Sequence, residues 1–311
     1  MRLLTVGGKV VSVSGKAIEI PDSSGGVYQI AVETSAGASV SASKGTTTVS
    51  GTADTSGSCT LTLYEPGEWS VSASLNNVTK TQTVNIGTQS MKLPLIELAD
   101  AFAANSWETI IAACQSGNVP DSWAVGDSKP MAINGTNYQI DIIGKNHDVY
   151  TDGSGTAPLT FQLHDCYSEA KQMYDTNLSG LGWKNTDMRL TYLPAILALM
   201  PAEVKNGIHA VNKKTSEGGN STTIETVSDT LFLLSEVEVF GTNHSSVPGE
   251  GIQYDYYKAG NPKIKKREGV DEFWWERSSA SGGMFCRVRA NGQAGASNAS
   301  SSLGVSFAFC F

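Results

Sequence analysis

Residues able to do chemistry are sparse in this chain, and their spacing does not bring them together. The five cysteines, Cys59, Cys114, Cys166, Cys286 and Cys310, are far apart, odd in number and never in a CxxC pair. Neither a disulfide framework nor zinc-finger spacing is present, and small buried thiols are expected. Cys286 and Cys310 fall in two predicted tail strands and become neighbours only if those strands pair. "NHD" and "LHD" set His147 and His164 beside an aspartate. Successive side chains on an extended chain point to opposite sides, so adjacency makes no catalytic dyad. "DGSG" at Asp152 is rich in oxygen but lacks the regular spacing of a calcium loop, which predicts an Asx-type turn. No GxSxG, HExxH, P-loop or strand-borne GxGxxG motif occurs. The expectation is a protein that is not an enzyme, with no catalytic residue, no metal and no cofactor.

Charge narrows the partners. The formal net charge is -8, and "KIKKR" (Lys263 to Arg267) is the one dense basic run. An acidic chain repels polyphosphate, so this run is expected to be a solvated loop and no nucleic-acid partner is expected. No stretch reaches the ~20 apolar residues that span a bilayer, so no membrane insertion is expected. "MRLLTVGGKVVSVSG" has too short an apolar core for a secretory signal, which predicts synthesis in the cytoplasm without export. "NVT" at Asn77 and "NGT" at Asn134 match glycosylation acceptors and are expected to be chance matches.

The elements that must position any site come in two kinds. With 32 glycines and only 17% charged residues, the composition suits strands and turns rather than long solvated helices. Residues 1 to about 90 predict short strands: "VYQIAVET", "ASVSAS", "CTLTLY", "WSVSASL" and "VTKTQTVNI". Trp69, Val71, Ala73 and Leu75 alternate with serines, the signature of a half-buried strand. Pro66-Gly67 and Asn76-Asn77 predict turns. This pattern suggests a small immunoglobulin-like sandwich.

The character changes near Leu95. Ile96, Ala99, Phe102, Ile110, Ile111 and Cys114 sit at helical spacings, and Ser106 is placed to cap a helix that Gly117 and Pro120 end. Asn134-Gly135 predicts a hairpin, and "LTFQLHDC" predicts a strand. Asp165 is expected to cap a helix through "YSEAKQMYDTNL", and "NTDMRLTYLPAILALM" predicts a second helix, kinked before Pro194. "DTLFLLSEVEVFG" predicts a buried segment with a polar exit. The tail predicts two strands, "GMFCRVRA" and "GVSFAFCF", the latter with Val305, Phe307, Phe309 and Phe311 on one face.

Six phrases then follow in order: "SWETIIAACQSGNVPDSWAVGD", "IDIIGKNHDVYTDGSG", "GLGWKNTDMR", "DTLFLLSEVEVFG", "FWWERS" and "FCRVRANG…GVSFAFCF". Together they resemble a domain of unknown function found in gut bacteria, their prophages and phages. That domain is similar to the C-type-lectin-like fold of the formylglycine-generating-enzyme group, which also carries the variable receptor-binding proteins of diversity-generating retroelements. The likeness covers about residues 105–311 and is most specific between "WWERS" and "GVSFAFCF". The fold class expected is α+β: an immunoglobulin-like β-sandwich over residues 1–94, serving attachment or spacing, then a C-type-lectin-like ligand-binding domain over 95–311.

The resemblance implies a rigid scaffold with a tolerant binding face. Scaffold positions would be Trp274, Trp275, Arg277, Phe285, Cys286, Val288, Gly292, Gly304, Val305, Phe307 and Phe309. Ligand-binding positions would be Ser279, Ser281, Met284, Arg287, Arg289, Asn291, Gln293, Ser297, Asn298, Ser301 and Leu303. The enzymes of the group use an active-site cysteine pair, and the strand context of Cys286 and Cys310 does not match it. The function implied is an adhesin of a phage or prophage tail that recognises a bacterial surface protein or glycan. Other virion or tail proteins would be partners, and a homo-oligomer, a trimer by analogy, would add avidity. The alternative is a structural virion protein, a head or tail decoration without a dedicated ligand.

Overall fold

Alternation and turn chemistry set most of the local structure. The computed structural model describes residues 28–75, 78–86, 91–94, 98–177, 180–219 and 221–311, with the backbone pairings of 5–6 with 9–10 and 12–13 with 16–17. The expected turn at Asn76-Asn77, the Asn77 acceptor site and Ile96 lie outside the described residues. The chain is a β-rich α+β protein, with 40% of the described residues in strands and 17% in helices. It divides into two compact units, Met1–Glu97 and Leu98–Phe311.

The first unit contains β1 (Tyr28–Glu33), β2 (Ser39–Lys44), β3 (Thr47–Thr52), β4 (Ser58–Leu63), β5 (Gly67–Leu75), β6 (Val78–Ile86) and β7 (Met91–Pro94). One sheet has the order β6-β5-β2-β3 and the other β7-β1-β4, with β7 parallel to β1. In β5, Trp69, Val71 and Ala73 are buried, as the alternation predicts, and Leu75 is half-buried. They share a core with Ile30, Val32, Val40, Ala42, Leu61 and Leu63 from the other strands. Burying the alternate face of each strand fixes this register, since a one-residue slip would turn the whole apolar set outward.

The second unit opens with α1 (Trp107–Gln115). The Ser106 hydroxyl accepts the Thr109 N–H at 3.1 Å and caps it. β8 (Ser128–Ile133) and β9 (Thr136–Lys145) form the expected hairpin, with Asn134 at φ 48° and Gly135 at φ 79° in its turn. They continue through β10 (Leu159–Leu163) to a fourth strand at the chain end, and every residue of β10 is buried. A π-helical turn (Met188–Tyr192) runs into α2 (Leu193–Leu199), with Pro194 in its first turn. The wider π-helical turn ends just before Pro194, whose ring has no N–H to give back to that turn. α3 (Ala202–Gly207), the hairpin β11 (Val211–Ser216) and β12 (Ile224–Asp229), α4 (Glu236–Phe240) and α5 (Asp255–Lys258) come next. A short hairpin, β13 (Lys265–Arg267) and β14 (Val270–Glu272), precedes the sheet β15 (Trp274–Ser279), β16 (Met284–Val288) and β17 (Ala294–Asn298). β18 (Ala308–Cys310) is the last element and pairs with β10.

Three expectations are corrected. Residues 166–174 are irregular, not helical. Their N–H groups bond outward instead: Cys166 to the Lys266 carbonyl, Tyr167 to Val305, Lys171 to Leu303 and Met173 to Ala299. Asp165 accepts the Lys266 N–H at 2.7 Å rather than capping a helix. The "GVSFAFCF" strand shrinks to Ala308–Cys310, and residues 304–311 are buried throughout, so no solvent face exists to alternate with. "KIKKR" is not simply solvated. Lys265 is buried and donates to the Leu163 and His164 carbonyls at 2.5 and 2.8 Å, and burial pushes its ammonium down to about 8. The segment "DTLFLLSEVEVFG" is buried with an exposed, polar exit as expected, and α4 lies within it.

Candidate functional site

The sheet β15-β16-β17 and its two connecting turns carry most of the predicted ligand-binding residues, so their packing decides where these can act. Trp274 pairs with Val288 and Trp275 with Arg287 across β15 and β16. Both tryptophans are fully buried, and each indole N–H is satisfied by a backbone carbonyl, Lys263 at 2.9 Å and Lys171 at 2.8 Å. Met284, Cys286 and Val288 pair with Asn298, Ala296 and Ala294 on one face. Phe285 and Arg287 pair with Ser297 and Gly295 on the other. Phe285, Cys286 and Val288 are all buried, so the sheet is covered on both faces at its centre.

Only the ends of the hairpin reach solvent. At the tip, Arg289, Asn291 and Gln293 are exposed and close together. The Arg289 N–H donates to the Gln293 carbonyl, and the Gly292 N–H returns to Arg289, each at 2.7 Å. Gly292 sits at φ 81°, a conformation that suits glycine. The Asn291 and Gln293 side chains touch at 3.2 Å. Roughly 14 Å away, at four strand rises, Ser281 and Asn298 are exposed beside half-buried Met284 and Ser297. Ser301 and Leu303 are half-buried in the next segment, where Leu303 bridges Lys171. Arg287 is half-buried, its guanidinium 4.2 Å from the Phe273 ring centre and bonded to the Ala296 carbonyl at 3.2 Å. Ser279 is buried, with a hydroxyl that has no partner, and so does not belong to the exposed set. The predicted positions therefore form a compact tip and a separate rim, not one patch.

Beneath this surface lies a polar network with no sequence-level counterpart. Arg277, fully buried on β15, spends its donors on both oxygens of Glu238 (2.5 and 2.9 Å) and on the carbonyls of Leu233, Lys214 and Glu250. Glu238 also accepts Lys213 at 2.8 Å, and Lys213 reaches Asp148 at 2.7 Å. The Tyr254 hydroxyl accepts from Lys213 at 3.0 Å and donates to Asp148 at 2.9 Å, where Thr160 donates at 2.7 Å. Burial alone would raise the Asp148 carboxyl, but the Lys213 ammonium outweighs it and holds the group at about 2. Burial likewise opposes ionisation of Glu238, and Arg277 with Lys213 wins, so its carboxyl is lowered. Each charge is paired and hydrogen-bonded, the condition under which buried charges persist.

A cleft of about 350 Å³ opens onto this network, lined among others by His147, Asp148, Asn212, Lys213, Glu238 and Ile252. His147 stacks on Tyr254 at 3.9 Å, and burial lowers its pKa, favouring a neutral imidazole. The wall thus offers hydrogen-bonding groups whose charges already face one another. The other aspartate-flanked histidine, His164, pairs not with adjacent Asp165 but with Asp141 at 2.8 Å, which raises its pKa. Asp152 accepts from Ser154 N and Oγ at 2.9 and 2.6 Å, the expected Asx turn.

The five cysteines are free and buried. Cys286 belongs to the β15-β16-β17 sheet and Cys310 to the sheet of β10, so the two are not strand neighbours. Burial raises both thiols well above their ordinary value. Glu236, Glu276 and Cys286 each point a donor atom into one buried spot, within 4.8 Å of one another.

Residues 160–311 match a domain of unknown function, DUF6273. No curated protein matches the chain. Among the described residues, no helix is long and apolar enough to cross a membrane.

Proposed function

We propose that this chain is a non-enzymatic ligand-binding protein, an adhesin of a phage or prophage tail. Its second unit would be C-type-lectin-like and its first an immunoglobulin-like spacer. The observation that carries this reading is the exposed triad Arg289, Asn291 and Gln293 on a hairpin that pairs with β15, a strand buried along its whole length. Amides and a guanidinium on a rigid base can hydrogen-bond a glycan or a protein surface with little ordering cost. The buried, raised thiols add support, because nucleophilic cysteine chemistry needs an accessible thiolate. The two-sheet packing of the first unit supports the sandwich assignment.

The test compares the full chain with an Arg289→Ala, Asn291→Ala, Gln293→Ala variant on a glycan array and on intact bacterial cells. Binding by the parent and its loss in an equally stable variant is the expected result. Undiminished binding by the variant would overturn the assignment of the tip. No binding by the parent would favour a structural virion role.

A further inference from the structure

We propose that Glu236, Glu276 and Cys286 form a buried site for one divalent cation of the zinc type, which ties α4 to the root of the hairpin sheet. The three residues come from three elements: the first turn of α4, the centre of β15 and the centre of β16. The register that pairs Trp274 with Val288 and Trp275 with Arg287 leads on to Glu276 and Cys286, before slipping by two residues at Ser279↔Phe285. The slip leaves the Glu276 side chain beside the Cys286 thiol.

Glu276 gives the strongest indication of a ligand. It is fully buried, and neither of its carboxylate oxygens has a hydrogen-bond partner. Burial, with Glu236 and Glu250 nearby, pushes its carboxyl well above the ordinary range. A buried carboxyl among other acids, with both oxygens unused, is costly unless a cation or a shared proton sits against it. Glu236 is already oriented. Its Oε2 accepts from the N–H groups of His244, Ser245 and Ser246 and from the Ser246 hydroxyl, at 2.7–2.9 Å. Its Oε1 accepts a longer bond from the Ser245 N–H, at 3.1 Å, and the carboxylate is also within hydrogen-bond reach of the Cys286 thiol. This outer shell fixes the ligand as it does in metal sites generally.

The donor set selects the ion. A thiolate with two carboxylates favours zinc and similar borderline metals over calcium or magnesium, which take oxygen ligands alone. Zinc–donor distances of about 2.0–2.3 Å place tetrahedral donors roughly 3.5 Å apart. Donors now within 4.8 Å therefore need to close by about 1.3 Å at most. Binding makes one metal–sulfur and two metal–oxygen bonds, releases the Cys286 thiol proton and the Glu276 carboxyl proton to water, and moves no electrons. The site does not depend on the adhesin reading, since its measurement involves no cell or glycan.

The experiment refolds the full chain from urea with and without Zn²⁺, removes loosely held metal with a weak chelator, and measures bound zinc and the melting temperature. The expected result is one zinc per chain and a higher melting temperature. Glu276→Gln and Cys286→Ser should weaken zinc binding more than about 100-fold, beyond the 10–100-fold typical of outer-shell changes. Co²⁺ in place of zinc should show a thiolate charge-transfer band that Cys286→Ser abolishes. Glu276→Gln keeps the volume without the charge, so the metal-free variant should fold at least as well as the metal-free parent. A parent that takes up no more zinc than Glu276→Gln would overturn the site and leave Glu276 sharing a proton with Glu236. Equal zinc in all three chains would overturn it too.

Discussion

Arg277 and Arg289 belong to the same small sheet region, at its root and at its tip, and the molecule treats them in opposite ways. Arg277 is fully buried and bonds Glu238 and the carbonyls of Leu233, Lys214 and Glu250. Arg289 is exposed, and its side chain makes one bond, from Nε to the Ala294 carbonyl at 3.1 Å. At the root the environment prescribes the residue, because an unpaired buried charge is intolerable. At the tip the backbone holds its own shape through the 2.7 Å bonds between Arg289, Gly292 and Gln293. There the side chains make only a few exposed hydrogen bonds, which a partner can replace. A fixed root under a permissive tip is what a binding surface needs.

The sharpest way to break this contrast is at the root. Arg277→Met should destabilise the second unit by about 3–5 kcal/mol, because it leaves Glu238 to Lys213 alone and strands several buried carbonyls. Chemical denaturation measures it. Adding Glu238→Gln to Arg277→Met should restore part of the loss, since removing both charges avoids an unpaired one. A double variant worse than the single by a similar amount would mean the pair is not the main unit of the network.

Asp148 should give the next largest effect, and pH identifies its origin. Its folded carboxyl lies at about 2 against an ordinary value of 3.8. A lowered acid contributes stability that is present above the unfolded value and lost as pH falls through the folded one, here about 2 kcal/mol. Asp148→Asn should therefore cost roughly 2 kcal/mol at pH 7. The gap between variant and parent should close as pH falls from about 4 to 2. A gap constant over that range would show that Asp148 acts through shape and not through charge.

Local features were legible in the sequence and the network was not, for a physical reason. The alternation of Trp69, Val71 and Ala73, the Ser106 cap and the Asn134-Gly135 turn are settled by neighbours within a few residues. Asp148, Lys213, Glu238 and Arg277 come from four distant segments, and only the completed fold brings them together. One signal was available: Ser235 and Glu238 match a capping box, and both of its reciprocal bonds form. With Gly241 as a left-handed stop, they announce α4, a helix of five residues too short for any apolar period. The helix expected after Asp165 failed because the tail competes for its N–H groups. In the tail, Arg289, Asn291, Gln293, Ser281 and Asn298 are exposed, Met284, Arg287, Ser297, Ser301 and Leu303 are half-buried, and Ser279 is buried; Ser279 and Arg287 show why. Both sit opposite large aromatics, Ser279 across from Phe285 and Arg287 across from Trp275, in a register that only the structure specifies.

The smallest effect belongs to the tip, and there two substitutions at neighbouring positions should diverge. Arg289, Asn291 and Gln293 replaced by Ala should each change stability by no more than about 0.5 kcal/mol, because their few hydrogen bonds are long and solvent-exposed. Gly292 lies between them but at φ 81°, and a Cβ there would come within 3.3 Å of Ile264. Gly292→Ala should therefore cost about 1–2 kcal/mol, the ordinary penalty for a left-handed L-residue. Thermal denaturation of the four variants measures both. If Gly292→Ala proved as silent as its neighbours, the hairpin backbone would be tolerant as well as its side chains. The tip would then be a loose loop, without the rigidity that lets weak polar contacts add up to recognition.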